Sequence, residues 1–224
     1  MFASLNLSAL ALFALATIRP ASAVRGTYWS TQSDGGGCQV PEGTYTIPDA
    51  VALGQSRDLG GLIYRPGLCG KVLTIQCGGQ SVDAVIASTC NLGSDSCGVD
   101  LIARTWKTAT GGKPPGVADC SVKLSGRNPL AGAGPVCYTR PNSGGGSPYY
   151  YSLGVLNTGT EIPKSATLAG VAGTWANGAW FQFNSGGRPL FVPGARFEVT
   201  YESGRKASFD LGQCKPSSGV HIFQ

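Results

Sequence analysis

Histidine and methionine each occur once in the 224-residue chain, and only 13% of the residues are charged. With His221 as the sole imidazole, a Ser-His or Cys-His nucleophile and a histidine-rich metal centre are both poorly supplied. No CxxC pair is present either, which removes the usual spacing of a zinc ribbon. We therefore expect no metal and no cofactor. Beyond residues 5–18, no stretch approaches the ~18 uncharged apolar residues of a membrane helix. Lysine and arginine are scattered rather than gathered into a basic stripe. Neither a membrane nor a nucleic acid is expected as a partner.

Glycine (34) and proline (14) are plentiful, yet together they stay below the roughly 25–30% that marks low-complexity chains. The sequence should fold with many turns. Residues 1–23 read as a secretory signal, an apolar run followed by the small-residue site Ala21-Ser22-Ala23. The expected location is outside the cell. The rest, about 200 residues, has room for two domains of about 100 each. All eight cysteines lie there, and an even count in an exported protein points to disulfides. Six of them precede residue 121 and two flank the remainder, a split that suits two domains. Residues 24–136 carry nine basic and eight acidic side chains, whereas 137–224 carry seven and four. The second half has a mild positive excess, which suits either an acidic polysaccharide such as pectin or an ordinary solvated surface. No Asn-x-Ser/Thr sequon follows residue 23, so N-glycosylation is not expected.

Short β-branched or alternating runs bounded by turn residues predict strands over 71–76, 81–88 and 120–124. One helix is predicted over 100–109. Ile102 and Trp106 share its apolar face, Asp100 sits at the N-cap, and Gly111-Gly112 followed by Pro114-Pro115 end it. Residues 126–136 have the composition of a linker with nothing to bury. Beyond it, strands are predicted over 149–156, 166–171, 180–184, 196–201 and 207–211, the spacing of a small sandwich. A hairpin turn joins the last two.

Gly26-Thr27-Tyr28-Trp29, Gly36-Gly37-Cys38, Leu68-Cys69-Gly70-Lys71, residues 84–90 and Val99-Asp100-Leu101 follow one another in an order and spacing that resemble the expansins, in particular the microbial expansin-like proteins. Residues 149–157, Gly173-Thr174-Trp175, 178–181 and 196–200 extend the resemblance over nearly all of the chain after the leader. It implies an all-β protein: a six-stranded double-psi barrel over 24–125, then, past the linker at 126–136, an immunoglobulin-like sandwich over 137–224. It also implies a secreted monomer that binds cellulose or other cell-wall polysaccharides and loosens them without hydrolysis. The Cys38–Cys69 disulfide is implied by the resemblance as well. Proximity or elimination leaves Cys90–Cys97, Cys77–Cys120 and Cys137–Cys214.

The barrel is shared with inverting endoglucanases, whose general base directly follows the tryptophan matched by Trp29. Here that position is Ser30, and inverting hydrolysis needs two carboxyls. Asp100 matches the general acid of those relatives and is the first candidate for the polysaccharide groove. An aspartate at a helix N-cap also stabilises the helix with no further role, and one residue can do both. Thr27, Tyr28, Trp29 and Ser88 are the other groove candidates. Most expansins carry a second aspartate where Ser88 stands, and a serine hydrogen-bonds a sugar without supplying charge. In the sandwich, Tyr149, Tyr150 and Trp180 match the aromatic cellulose platform. Strand alternation puts Tyr149 and Tyr151 on one face and Tyr150 on the other, and Trp180 suits the platform or the core equally. Two alternatives stand beside the expansin reading: a weak glycan-cleaving enzyme using Asp100 with Asp34 or Asp83 as base, and a carbohydrate-binding or defence-type module without loosening activity.

Overall fold

The computed structural model describes residues 23–140, 143 and 147–224. The leader through residue 22 and the glycines at 144–146 lie outside the described residues. In chain order, β1 (Val24–Trp29), β2 (Ala50–Leu53), β3 (Val72–Gln76), β4 (Val82–Thr89), β5 (Val99–Ile102) and β6 (Val117–Leu124) close into a barrel ordered β1-β5-β2-β4-β3-β6. The pairs β1/β5 and β2/β4 are parallel and the others antiparallel. Closure leaves no free edge. Val51, Leu53, Leu73, Ile75, Ile86, Val99 and Leu101 share one face of the closed sheet and are buried in the barrel core.

A single α-helix, α1 (Ala103–Thr110), is found among the described residues. It starts later than predicted, and Asp100 is not its cap: Ile102 holds the N-cap position without a side-chain bond. The reason is tertiary. Asp100 sits in β5, paired with Thr27 of β1 on one side and Ala52 of β2 on the other, and two ladders hold it extended. The helix ends as read, on Gly111 at φ 72° with its N–H on the carbonyls of Lys107 and Thr108, a left-handed cap suited to glycine. Trp106 is buried against the barrel and donates Nε1–H to Lys113 O at 2.8 Å.

The second half forms two sheets. One runs β10 (Val171–Ala172), β9 (Pro163–Leu168), β13 (Arg196–Tyr201), β14 (Lys206–Asp210). The other runs β11 (Thr174–Trp175), β12 (Trp180–Asn184), β8 (Tyr150–Leu156), β7 (Val136–Thr139), β15 (Lys215–Pro216). Period-two alternation sends Phe197, Val199 and Tyr201 inward against Leu153, Val155, Phe181 and Phe183 of the facing sheet, giving the expected sandwich. All four disulfides join the anticipated partners: Cys38–Cys69, Cys77–Cys120, Cys90–Cys97 and Cys137–Cys214.

Residues 126–136 do bury something, contrary to their composition. Leu130 is 5% exposed and packs with Tyr138, Leu156 and Trp180 in a cluster between barrel and sandwich. The chain beyond β15 also returns to the barrel. Phe223 is buried in the barrel core with its N–H on Gln32 Oε1 at 2.9 Å, and His221 stacks on Tyr45.

Candidate functional site

Four residues on neighbouring barrel strands line up across the sheet: Thr27 on β1, Asp100 on β5, Ala52 on β2 and Ser88 on β4. Residues directly opposite one another project to the same face, so the register alone makes this a row. Thr27 Oγ1 donates to Asp100 Oδ1 at 2.6 Å, which aims the carboxylate along the sheet. Ala52 offers only a methyl group and keeps the row low at its centre. At the far end Ser88 Oγ accepts from Gly37 N at 2.9 Å. Two strand spacings separate Asp100 from Ser88, about 10 Å. Ala52 escaped the sequence reading because nothing distinguishes one alanine in the run Ala-Val-Ala-Leu.

The aromatic candidates of β1 divide. Trp29 is two residues from Thr27 and shares its face, half-buried at the end of the strand. Tyr28 points the other way, edge-to-face on Trp106 with ring centres 6.0 Å apart. Its expected place in the groove is corrected by strand alternation: helix α1 occupies that side of β1. Asp34 lies in the loop beside Ser88, where its Oδ1 accepts from Gly36 N at 2.8 Å. Gly36 itself, at φ 58°, has no room for a side chain, since a Cβ would stand 2.6 Å from Ala87 O and 2.9 Å from Ser88 Cβ. Asp83 is not brought to the row. It sits five residues before Ser88 on β4, about 17 Å along the strand, bonded to Thr74 at 2.6 Å and to Arg127 at 3.0 Å.

In the sandwich, Tyr150 opposes Asn184 on the outer face of the five-stranded sheet, while Tyr151 opposes Phe183 and turns inward. Tyr149 precedes the strand and is 42% exposed. Trp180 is no platform residue. It is fully buried, lies over Gly154, and donates its indole N–H to Gln39 O at 2.7 Å. The correction has a packing cause: the barrel covers the Trp180 end of the sheet's outer face, so the ring that would have met a glucan meets the barrel instead.

That contact joins the two candidate surfaces. The segment 34–39 lies with Gly37 on Ser88 and with Gln39 under Trp180, and Arg140 donates to Gln39 Oε1. Gly178, at φ 67°, lets the sandwich approach closely, because a Cβ there would stand 1.9 Å from Cys38 O. Ala179 N donates to that same carbonyl at 2.8 Å. The 34–39 loop thus touches the barrel row at Ser88 and, through Gln39, the Trp180 end of the sheet face that also carries Tyr150. Among the described residues no cluster of three or more His, Cys, Asp or Glu could hold a metal ion, and no cysteine is free. Chemically, the row offers one carboxylate and two hydroxyls.

The architecture defines an all-β class in which a closed six-stranded barrel carries a two-sheet sandwich on one end. Its counterparts are expansins. The chain is similar to the crystal structure of the apo expansin of Clavibacter michiganensis, with a TM-score of 0.61 and 19% identity over 91% of this chain and 95% of that one. An aspartate-to-asparagine variant of that expansin, crystallised in complex with cellohexaose, matches with the same score, identity and coverage. The fold is therefore expansin-like. No protein-family model and no curated protein matches the sequence.

Proposed function

We propose that this is a secreted expansin-like protein that binds cell-wall glucan along the barrel row and the outer face of the sandwich, and weakens contacts between glucan chains without cutting them. The observation that carries the reading is the 34–39 loop, which joins the two surfaces by bonding to Ser88 of the barrel row through Gly37 and to Trp180 of the sandwich through Gln39. The cellohexaose bound by the variant Clavibacter expansin supports a β-linked glucan as the ligand class. The leader at 1–23 and four disulfides fit an oxidising, extracellular setting.

Hydrolysis is disfavoured by the carboxylates present. An inverting enzyme needs an acid and a base about 6.5–9.5 Å apart across the scissile bond. Ser30 stands where the relatives carry the base, and Asp83 is ion-paired to Arg127. A second reading, a glycan-binding module that does not loosen walls, is favoured by Ser88, which leaves the row with one carboxylate.

The test is Asp100→Asn in purified protein lacking residues 1–23, assayed on cellulose and isolated plant wall. Expected is loss of creep under load with the fold intact and no release of reducing ends by either protein. Unchanged creep in the folded variant would remove Asp100 from the mechanism. Reducing ends that accumulate with the parent protein would make it a hydrolase, and binding without creep would select the module.

A further inference from the structure

A second cleft opens on the seam between barrel and sandwich, away from the Asp100 row. It has a volume of about 310 Å³ and is lined by Asn128 from the connecting segment and by Thr158, Glu161, Tyr201, Arg205 and Lys206 from the sandwich. Its floor is the buried Tyr201, 4% exposed. The hydrogen-bond inventory is one-sided. Both Glu161 carboxylate oxygens are taken, one by Arg205 at 3.1 Å and the other by Ser203. Asn128 Oδ1 is taken by Gly159 N at 3.0 Å, and Thr158 Oγ1 donates to Glu161 O at 2.7 Å while receiving Lys71 from below. What remains without a partner among the described residues is donors, Asn128 Nδ2, Arg205 Nε and Nη2 and the Lys206 ammonium, together with the buried Tyr201 hydroxyl, which can donate or accept.

Donors and positive charge around a tyrosine floor call for a ligand rich in acceptors with a carboxylate. We infer that this cleft binds a hexuronic acid residue of an acidic wall polysaccharide. The inference rests on the polysaccharide reading above but not on the Asp100 row. It also gives a place to the positive excess of residues 137–224. The carboxylate would lie toward Arg205 and Lys206, and the ring hydroxyls toward Asn128. The volume suits one sugar residue, so the site grips a unit of a chain rather than a length of it.

The experiment is an NMR-monitored titration of the protein lacking residues 1–23 with a galacturonic acid trimer and, separately, with cellohexaose. The parent protein is compared with Asn128→Ala, Lys206→Ala, Asp100→Asn and Lys107→Ala, the last removing an exposed cation on α1. The uronate is expected to shift amide signals at 128, 201 and 205. Its Kd should rise about fivefold or more in the two cleft variants, the scale of one hydrogen bond lost, and stay unchanged in Lys107→Ala and Asp100→Asn. Cellohexaose binding should weaken in Asp100→Asn and stay unchanged in the other three variants. Absence of saturable uronate binding, or an equal loss in Lys107→Ala, would overturn the site, the latter by revealing diffuse charge attraction. Uronate binding at the cleft without any cellohexaose binding would leave the site standing and remove the glucan reading instead.

Discussion

Trp180 and Tyr150 stand on the same face of one sheet and meet different surroundings. In β12, Trp180 is followed by Phe181 and Phe183, which point into the sandwich, so both faces of that strand are occupied where the barrel sits. Tyr150 lies four ladder pairs further along, beyond the barrel's cover. Trp180→Ala should therefore cost about 3–5 kcal/mol, the range for emptying a buried aromatic site, read as a lowered denaturant midpoint. Tyr150→Ala should leave that midpoint nearly unchanged and reduce the fraction bound to cellulose. If the two variants behave alike in both assays, the assignment of seam and platform is wrong.

Among the elements, β5 is the one whose nature local signals misjudge. Residues 100–109 carry a helical apolar spacing, and the stop at Gly111 is legible because a left-handed cap is a property of one residue and its neighbours. The start is not legible, since pairing with β1 and β2 is decided by residues about 73 and 48 positions away, and such ladders outweigh a local propensity of a few tenths of a kcal/mol. The same contrast governs the cross-links. Cys90–Cys97 closes a loop of sequence separation 7 and Cys137–Cys214 one of 77. In the chain-entropy account their removal costs roughly 2.4 and roughly 4.5 kcal/mol respectively. Cys137→Ala with Cys214→Ala should thus lower the thermal midpoint more than Cys90→Ala with Cys97→Ala. The second pair should act mainly on the 91–96 loop beside β5, visible as faster amide exchange there.

At the scale of the whole molecule, the barrel and sandwich share a buried cation. Lys71, 5% exposed, projects from the barrel and donates to Thr158 Oγ1 and to the carbonyls of Gly159 and Glu161. Burial lowers its pKa from 10.5 to about 7, partly opposed by the Glu161 charge. In the unfolded chain the lysine keeps its ordinary value, so between about pH 7 and pH 10 the unfolded state holds more protons than the folded one. Stability from this group therefore rises with pH across that window. Above pH 10 the tyrosines oppose the trend. Burial raises Tyr201 to about 12 and raises Tyr64 and Tyr138 as well, so their contribution is lost as they ionise more readily in the unfolded chain. Urea midpoints measured from pH 6 to pH 10 should climb in the parent protein and flatten in Lys71→Met. A climb that survives Lys71→Met would assign it elsewhere.

Composition, cysteine parity, period-two patterning and motif order were enough to determine an all-β chain with two halves, most of its strands and its disulfide partners, Cys38–Cys69 through the family resemblance and the other three through proximity or elimination. Each of these depends on short-range regularities or on a motif order that a linear chain displays. Asp100 as a groove candidate was also visible, through its motif. Only the tertiary structure decided which candidates share a surface. Register placed Ala52 between Asp100 and Ser88, alternation turned Tyr28 toward α1, its place five residues earlier on β4 kept Asp83 apart from Ser88, and the barrel's approach buried Trp180 and Leu130. Those outcomes belong to contacts between residues far apart in sequence, where the energy of a side chain is set by what another part of the chain brings against it.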